Sequence, residues 1–286
     1  MKQSLGHIVQ IARLTFLEAV RQRFFNFVLL LMLALIGSAS FFRRFDFGNQ
    51  ELHFIANFGM GGLEFFGALL AVVASAQLFF GEMENRTALT LLAKPVRRWA
   101  FIAGKLLGVM ALLLVFVTLL TAALAAYLKW RQGELMEIWH QALLAKEVDT
   151  EMPEAFRVQF GGLALDALLQ WLKFDVLAAI TLLVASYSNT NMFTVISSFF
   201  IYLICQLEYI AREQLDDLKV EALKRLVLLV SWIFPNFQLY SIGDLLVFPA
   251  RVPIPDHAIW AAIEYSVIYL VVFWALASLS FRRREI

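Results

Sequence analysis

The chain has 286 residues, 61% of them hydrophobic and 16% charged, with a mean hydropathy of +0.73. Soluble domains are about 45–50% apolar, so this excess, which includes 27 Phe, excludes a soluble globular protein and describes a polytopic membrane protein. The net charge of +1 comes from charges segregated by segment, leaving no basic face for nucleic acid, and the lone Cys205 excludes an internal disulfide or a cysteine metal cluster.

The expected fold is all-α: one membrane domain over 1–286 with six transmembrane helices, an N-terminal interfacial helix and an outer re-entrant hairpin between spans five and six. In residues 1–23, Leu5, Ile8, Val9, Ala12, Phe16, Ala19 and Val20 recur at three-and-four spacing, while Lys2, His7, Arg13 and Arg21 lie elsewhere around the helix. That pattern predicts a helix whose apolar face meets lipid headgroups or neighbouring spans. Glu18 and Arg21 stand one turn apart and can pair. No cleavable signal is expected, because the apolar run after Arg23 starts too late, although Ser38-Ala39-Ser40 imitates a cleavage site.

A bilayer span needs about 20 mostly apolar residues. Six segments meet that need: 24–42, 59–80, 100–128, 168–187, 192–211 and 259–281. A seventh, 226–248, is broken by Pro235-Asn236 into halves too short to cross, so it is expected as a re-entrant hairpin on the outer side, with its broken backbone covered by protein. The outer segment 129–167 is long and acidic. Its Leu135, Ile138, Trp139, Ala142 and Leu143 predict a helix lying over the outer face.

Between spans two and three stands GEMENRTALTLLAKPVRRWAFIAGK, starting at Gly81. Ala88, Leu89, Leu91 and Leu92 give 82–98 the spacing of a short amphipathic helix at a membrane surface. Five cations (Arg86, Lys94, Arg97, Arg98, Lys105) against two acids (Glu82, Glu84) mark it as cytoplasmic. With both termini inside, the shorter inner segments hold half of the 24 Lys and Arg, including Arg282, Arg283 and Arg284. That density favours an even number of spans with both ends in the cytoplasm.

Ionisable residues within apolar spans are costly and therefore informative. Glu64, Asp175, Glu208 and Glu264 all fall toward the outer half, with Lys173 close to Asp175 in sequence. Each either pairs or reaches the outer interface, or it lines the outer mouth of a conduit; Glu64 and Glu264 are the candidates for the conduit. Gly59, Gly61, Gly62 and Gly67 form a small-residue face suited to close helix packing, within the chain or across a dimer seam. Ser186–Asn191 is a polar turn between spans four and five.

The chain carries no G-x-x-x-x-G-K-[ST] loop, no H-E-x-x-H and no G-x-S-x-G, so neither catalysis nor a cofactor nor a metal is expected of it. The segment 82–105, with its T-x-x-x-L-L-A-K-P-V-x-R run, resembles the permease subunits of ABC-2 type exporters. So do Thr15-Phe16, Glu18 and Arg21 before span one, Pro235-Asn236-Phe237, and the Phe281-Arg-Arg-Arg ending. Their order and spacing resemble the branch with the nitrous-oxide-reductase maturation permease and the gliding-associated exporters.

The resemblance implies a permease in the bacterial inner membrane that pairs with a second permease chain, most simply as a homodimer, and with two copies of an ABC ATPase subunit. It implies that Glu82, Glu84, Arg86, Thr87, Leu91, Leu92, Lys94, Pro95, Arg97 and Arg98 form the ATPase-coupling segment, and that the N-terminal helix with Glu18 and Arg21 contacts the same partner. The alternative from a different class is an ATP-independent secondary transporter or a membrane scaffold. A secondary transporter usually carries paired broken helices, and only one broken segment is seen here.

Overall fold

The structure, a computed structural model, describes residues 2–39, 41, 51–84, 98–145, 157–213, 224–225, 228, 231, 233–241, 247 and 256–282. Among the described residues there are seven α-helices: α1 (Lys2–Arg21), α2 (Arg23–Ser38), α3 (Glu51–Glu84), α4 (Arg98–Leu144), α5 (Phe160–Tyr187), α6 (Asn191–Glu213) and α7 (Asp256–Arg282). A 3₁₀ turn, Phe237–Tyr240, precedes α7. The protein is an all-α polytopic membrane protein. Five helices are long and apolar enough to cross a bilayer, and α1 with α2, bent by 60°, passes as a sixth only if the pair is counted as one span.

The bend falls at Gln22, whose extended backbone (φ −67°, ψ 133°) interrupts the helix at the charged stretch Arg21-Gln-Arg23. The α1 face that turns inward consists of Ile8, Ile11, Thr15 and Ala19, all buried. They pack along the first turns of α4, where Gly104 and Gly108 leave no room for side chains. A Cβ on Gly104 would lie 2.7 Å from Ile11 Cβ, and one on Gly108 would lie 2.8 Å from the Ala12 carbonyl oxygen. The apolar face of α1 therefore meets another span of its own chain.

At the centre stand α3 and α5, whose most apolar stretches are 72% and 78% buried; those of α6 and α7 are 28% and 17% buried and form the flanks. Close approach at the centre uses the glycines of α3. A Cβ on Gly67 would lie 2.2 Å from the Phe174 ring of α5, one on Gly59 2.5 Å from Leu124 of α4, and one on Gly62 2.9 Å from Met32 of α2. These three glycines are consumed by packing inside the chain, and of the four only Gly61 faces open space.

The helices overrun the spans drawn from hydropathy. The first turns of α3 start at Glu51, and α5 begins at Phe160. Helix α4 is continuous for 47 residues, about 70 Å at 1.5 Å per residue. Its last four turns are the segment expected to lie over the outer face as a separate helix. Gly133 alone is too weak a breaker to stop a helix already nucleated by a span, so the segment projects beyond the bilayer. There Arg131 grips Glu51 with both nitrogens, Nε at 2.7 Å and Nη2 at 2.8 Å, and donates Nη1 to Glu134 at 2.7 Å. This fork ties the first turn of α3 to α4.

Of the broken segment 226–248, only the stretch around Pro235 and a few isolated positions fall within the described residues. The Asn236 side chain accepts from the Gln238 amide at 2.9 Å and caps the 3₁₀ turn. The Asn236 amide donates to the Tyr265 hydroxyl of α7 at 2.8 Å, and Tyr240 shares a 2.7 Å hydrogen bond with Ser266. Protein groups thus take up the Asn236 and Gln238 amides that follow the proline, as an apolar surrounding requires.

Candidate functional site

Two places in the fold concentrate polar chemistry. The first is the root of the charged segment between α3 and α4. Residues 85–97 lie outside the described residues, so Arg86, Thr87, Leu91, Leu92, Lys94, Pro95 and Arg97 are not placed. Glu82 and Glu84 belong to the last turn of α3, and Arg98 is the first residue of α4.

Arg98 reaches the carboxyl end of α7. Its Nη1 donates to the Arg282 carbonyl at 2.8 Å and to the Phe281 carbonyl at 3.2 Å. The last carbonyls of a helix have no partner within it and carry the negative end of its dipole, so a cation there is doubly favoured. Lys105, read from sequence as a loop cation, is instead wholly buried within α4 and donates to the Leu78 carbonyl of α3 at 2.7 Å. Two of the five cations therefore hold helices together.

Aromatic rings close the same junction. Phe281 stacks on Phe101 at 5.6 Å and meets Phe79 edge-on at 5.8 Å. Glu18 and Arg21 are exposed on α1. A Cβ built on Gly81 would lie 3.9 Å from Glu18 Oε1, which puts the N-terminal helix beside the exit of α3 into the charged segment. The root of this segment is thus joined to α1, α3, α4 and α7. Gly104-Lys-Leu-Leu-Gly108, a small-x-x-x-small pattern, was the signal in the sequence that could have revealed the docking of α1.

The second place lies about 25 Å along α3 from Gly81, close to the thickness of a hydrocarbon core. Glu64 Oε1 accepts from Lys173 Nζ of α5 at 2.5 Å and from Gln206 Nε2 of α6 at 2.9 Å. Lys173 is fully buried and its ammonium also faces the Phe237 ring at 5.8 Å. The 3₁₀ turn therefore roofs the pair. Beside it opens a cavity of about 210 Å³ lined by Asn57, Met60, Gly61, Glu64, Asp166, Gln170 and Ser241.

Glu264 does not join this group. It is exposed on α7, while its neighbours Tyr265 and Ser266 turn inward to hold the 3₁₀ turn. Asp175, two residues from Lys173, points to another side of α5 and is buried with neither oxygen hydrogen-bonded. Sequence reasoning named Glu64 and Lys173 separately but missed their pairing, as well as Asp166, Gln170 and Gln206, because the partners come from three different helices.

The family model described as ABC-2 family transporter protein matches residues 9–286. The chain belongs to the ABC-2 transporter family. No curated protein matches it significantly. This ABC-2 chain is therefore an integral membrane permease of an ABC transporter, a transport component whose family works with an ABC ATPase subunit. Both polar places belong to the permease: the root of the charged segment at one end of the bundle and the Glu64 cluster toward the other.

Proposed function

We propose that this permease works as one of two identical chains in the bacterial inner membrane, with both termini in the cytoplasm, and exports its substrate along a path between them. Two copies of a separate ATPase subunit drive it by docking on 82–98 and on the exposed face of α1. The reading rests chiefly on the anchoring of the root of 82–98. Arg98 bonds the carboxyl end of α7, Phe101 stacks on Phe281, and Glu18 of α1 stands beside Gly81. A force applied at such a root moves several spans as one body, as a switch between two states of a permease requires.

The same branch resemblance that covers the whole length supports export and pairing with a like chain. Leu91→Asp and charge reversal at Glu84 or Arg97 test the docking. In complexes purified with the ATPase subunit and reconstituted in vesicles, each is expected to leave the permease folded and to uncouple ATP hydrolysis from transport. Wild-type coupling and wild-type ATPase retention in all three variants would rule the docking out.

A further inference from the structure

We propose that the cavity beside Glu64 binds a neutral hydroxylated group about the size of glycerol: a free polyol or the glycerol headgroup of a lipid. The site stands apart from the exporter reading, because binding is measured on the permease without ATPase.

Donors and acceptors, rather than charge, single out the ligand. Gln170 of α5 lines the cavity with 4% of its surface exposed, and its Oε1 is buried without a hydrogen-bond partner. Ser241, which ends the 3₁₀ turn, lines the same cavity, and its hydroxyl oxygen also lacks a partner. Asn57, exposed at the rim, adds a second amide. Two amides and a hydroxyl each donate and accept. A half-turn of the Gln170 amide brings either its oxygen or its nitrogen toward a ligand. A buried polar group without a partner is costly, so a ligand that supplies both halves of the bond is favoured.

A polar cavity of about 210 Å³ is hydrated. Displacing ordered water gains affinity only where the ligand reproduces its hydrogen bonds. A hydroxyl does so: it donates to an amide oxygen and accepts from an amide nitrogen or from Ser241. The Glu64 and Asp166 side chains in the wall accept further hydroxyl hydrogens. An ammonium only donates and leaves the Ser241 and amide hydrogens unmet. A carboxylate or phosphate only accepts, and no Lys, Arg or His is among the described residues that line the cavity. An apolar group meets none of them.

The test uses the purified full-length permease in phosphatidylcholine nanodiscs, free of ATPase and prepared without glycerol. Saturation-transfer NMR is followed against added glycerol. A saturable signal is expected, and neither ethylammonium nor acetate is expected to compete for it. Gln170→Leu is expected to weaken the apparent affinity at least about fivefold. Gly61→Leu guards against misfolding. Gly61 lines the cavity and a Cβ there meets nothing within 4 Å. This variant is therefore expected to keep the wild-type unfolding midpoint and to lose the glycerol signal by filling the mouth.

Nanodiscs containing phosphatidylglycerol identify the source. A glycerol signal suppressed in them assigns the site to the headgroup; an unchanged signal assigns it to a free polyol. A cavity that holds water alone gives no saturable signal. That result, equal competition by ethylammonium or acetate, or a wild-type signal in both variants would overturn the proposal.

Discussion

Lys173 of α5 and Glu64 of α3 form an ion pair in which the ammonium is wholly buried and the carboxylate opens on a cavity. The lysine is wholly buried and donates to Glu64, and Gln206 holds the same oxygen from a third helix. The pair is thus both a joint between α3, α5 and α6 and a wall of the cavity.

Breaking one side of the joint strands the other. Glu64→Gln removes the carboxylate that the buried Lys173 ammonium is bonded to, and losing one partner of a buried pair typically costs about 3–5 kcal/mol. Lys173→Met leaves a carboxylate that can still hydrate through the cavity, and its loss is expected to be smaller. The double variant Glu64→Gln/Lys173→Met is expected to recover most of the stability of wild type. Thermal unfolding of the four proteins in one detergent gives the coupling directly, and additive losses would show that the pair contributes little.

The seat of α1 predicts a steep glycine dependence. Gly104→Ala and Gly108→Ala push a methyl group into Ile11 and Thr15 and against the α1 backbone, at a cost of about 1–3 kcal/mol each. Gly61→Ala, which meets nothing, is expected to cause no loss. Expression yield and unfolding midpoint compared across the three variants check this, and equal behaviour would place α1 elsewhere.

Arg98 combines two roles that can be separated. Arg98→Ala removes both hydrogen bonds to the end of α7 and is expected to lower stability by about 1–3 kcal/mol. Arg98→Lys keeps the charge but not the fork, and is expected to fall between. If the force on the charged segment passes through this contact, the transport rate per ATP hydrolysed falls more than the stability does. A proportional fall in both would make Arg98 a cap only.

Topology is accessible by labelling. On a Cys205→Ser background, an impermeant thiol reagent added outside is expected to modify Asp149→Cys and Asp217→Cys and to spare Thr90→Cys and Arg284→Cys. Labelling of position 284 from outside would invert the carboxyl terminus and remove the even span count.

The elements were legible because hydropathy is a local signal. The segments 59–80, 100–128, 168–187, 192–211 and 259–281 each fall within one helix, α2 (Arg23–Ser38) covers most of 24–42, and the charged insert of 81–98 separates two of the helices. Where helices end was less legible. Beyond the apolar core, propagation through residues such as Lys129 to Leu144 costs little once a span has nucleated the helix, so hydropathy stops at about Leu128 while the helix does not. The α3 glycines were recognisable as a packing face, yet Gly59, Gly62 and Gly67 are spent on Leu124, Met32 and Phe174 of the same chain. A small-residue stripe states that something comes close, but does not name the partner.

The sequence by itself determined that this protein lies in the membrane, that one helix gives way to the next at about residue 23, that Pro235 interrupts an apolar segment, and that its family is ABC-2. The first three follow from residues near one another in the chain. Only the tertiary structure decided that Lys105 is a buried tie rather than a loop charge, that Arg98 caps α7, and that Glu64, Lys173, Asp166, Gln170 and Gln206 surround one place. The energy of a charge at membrane depth depends on which opposite charge stands within a few ångströms. That distance is set by how helices more than a hundred residues apart in sequence pack, which no local pattern encodes.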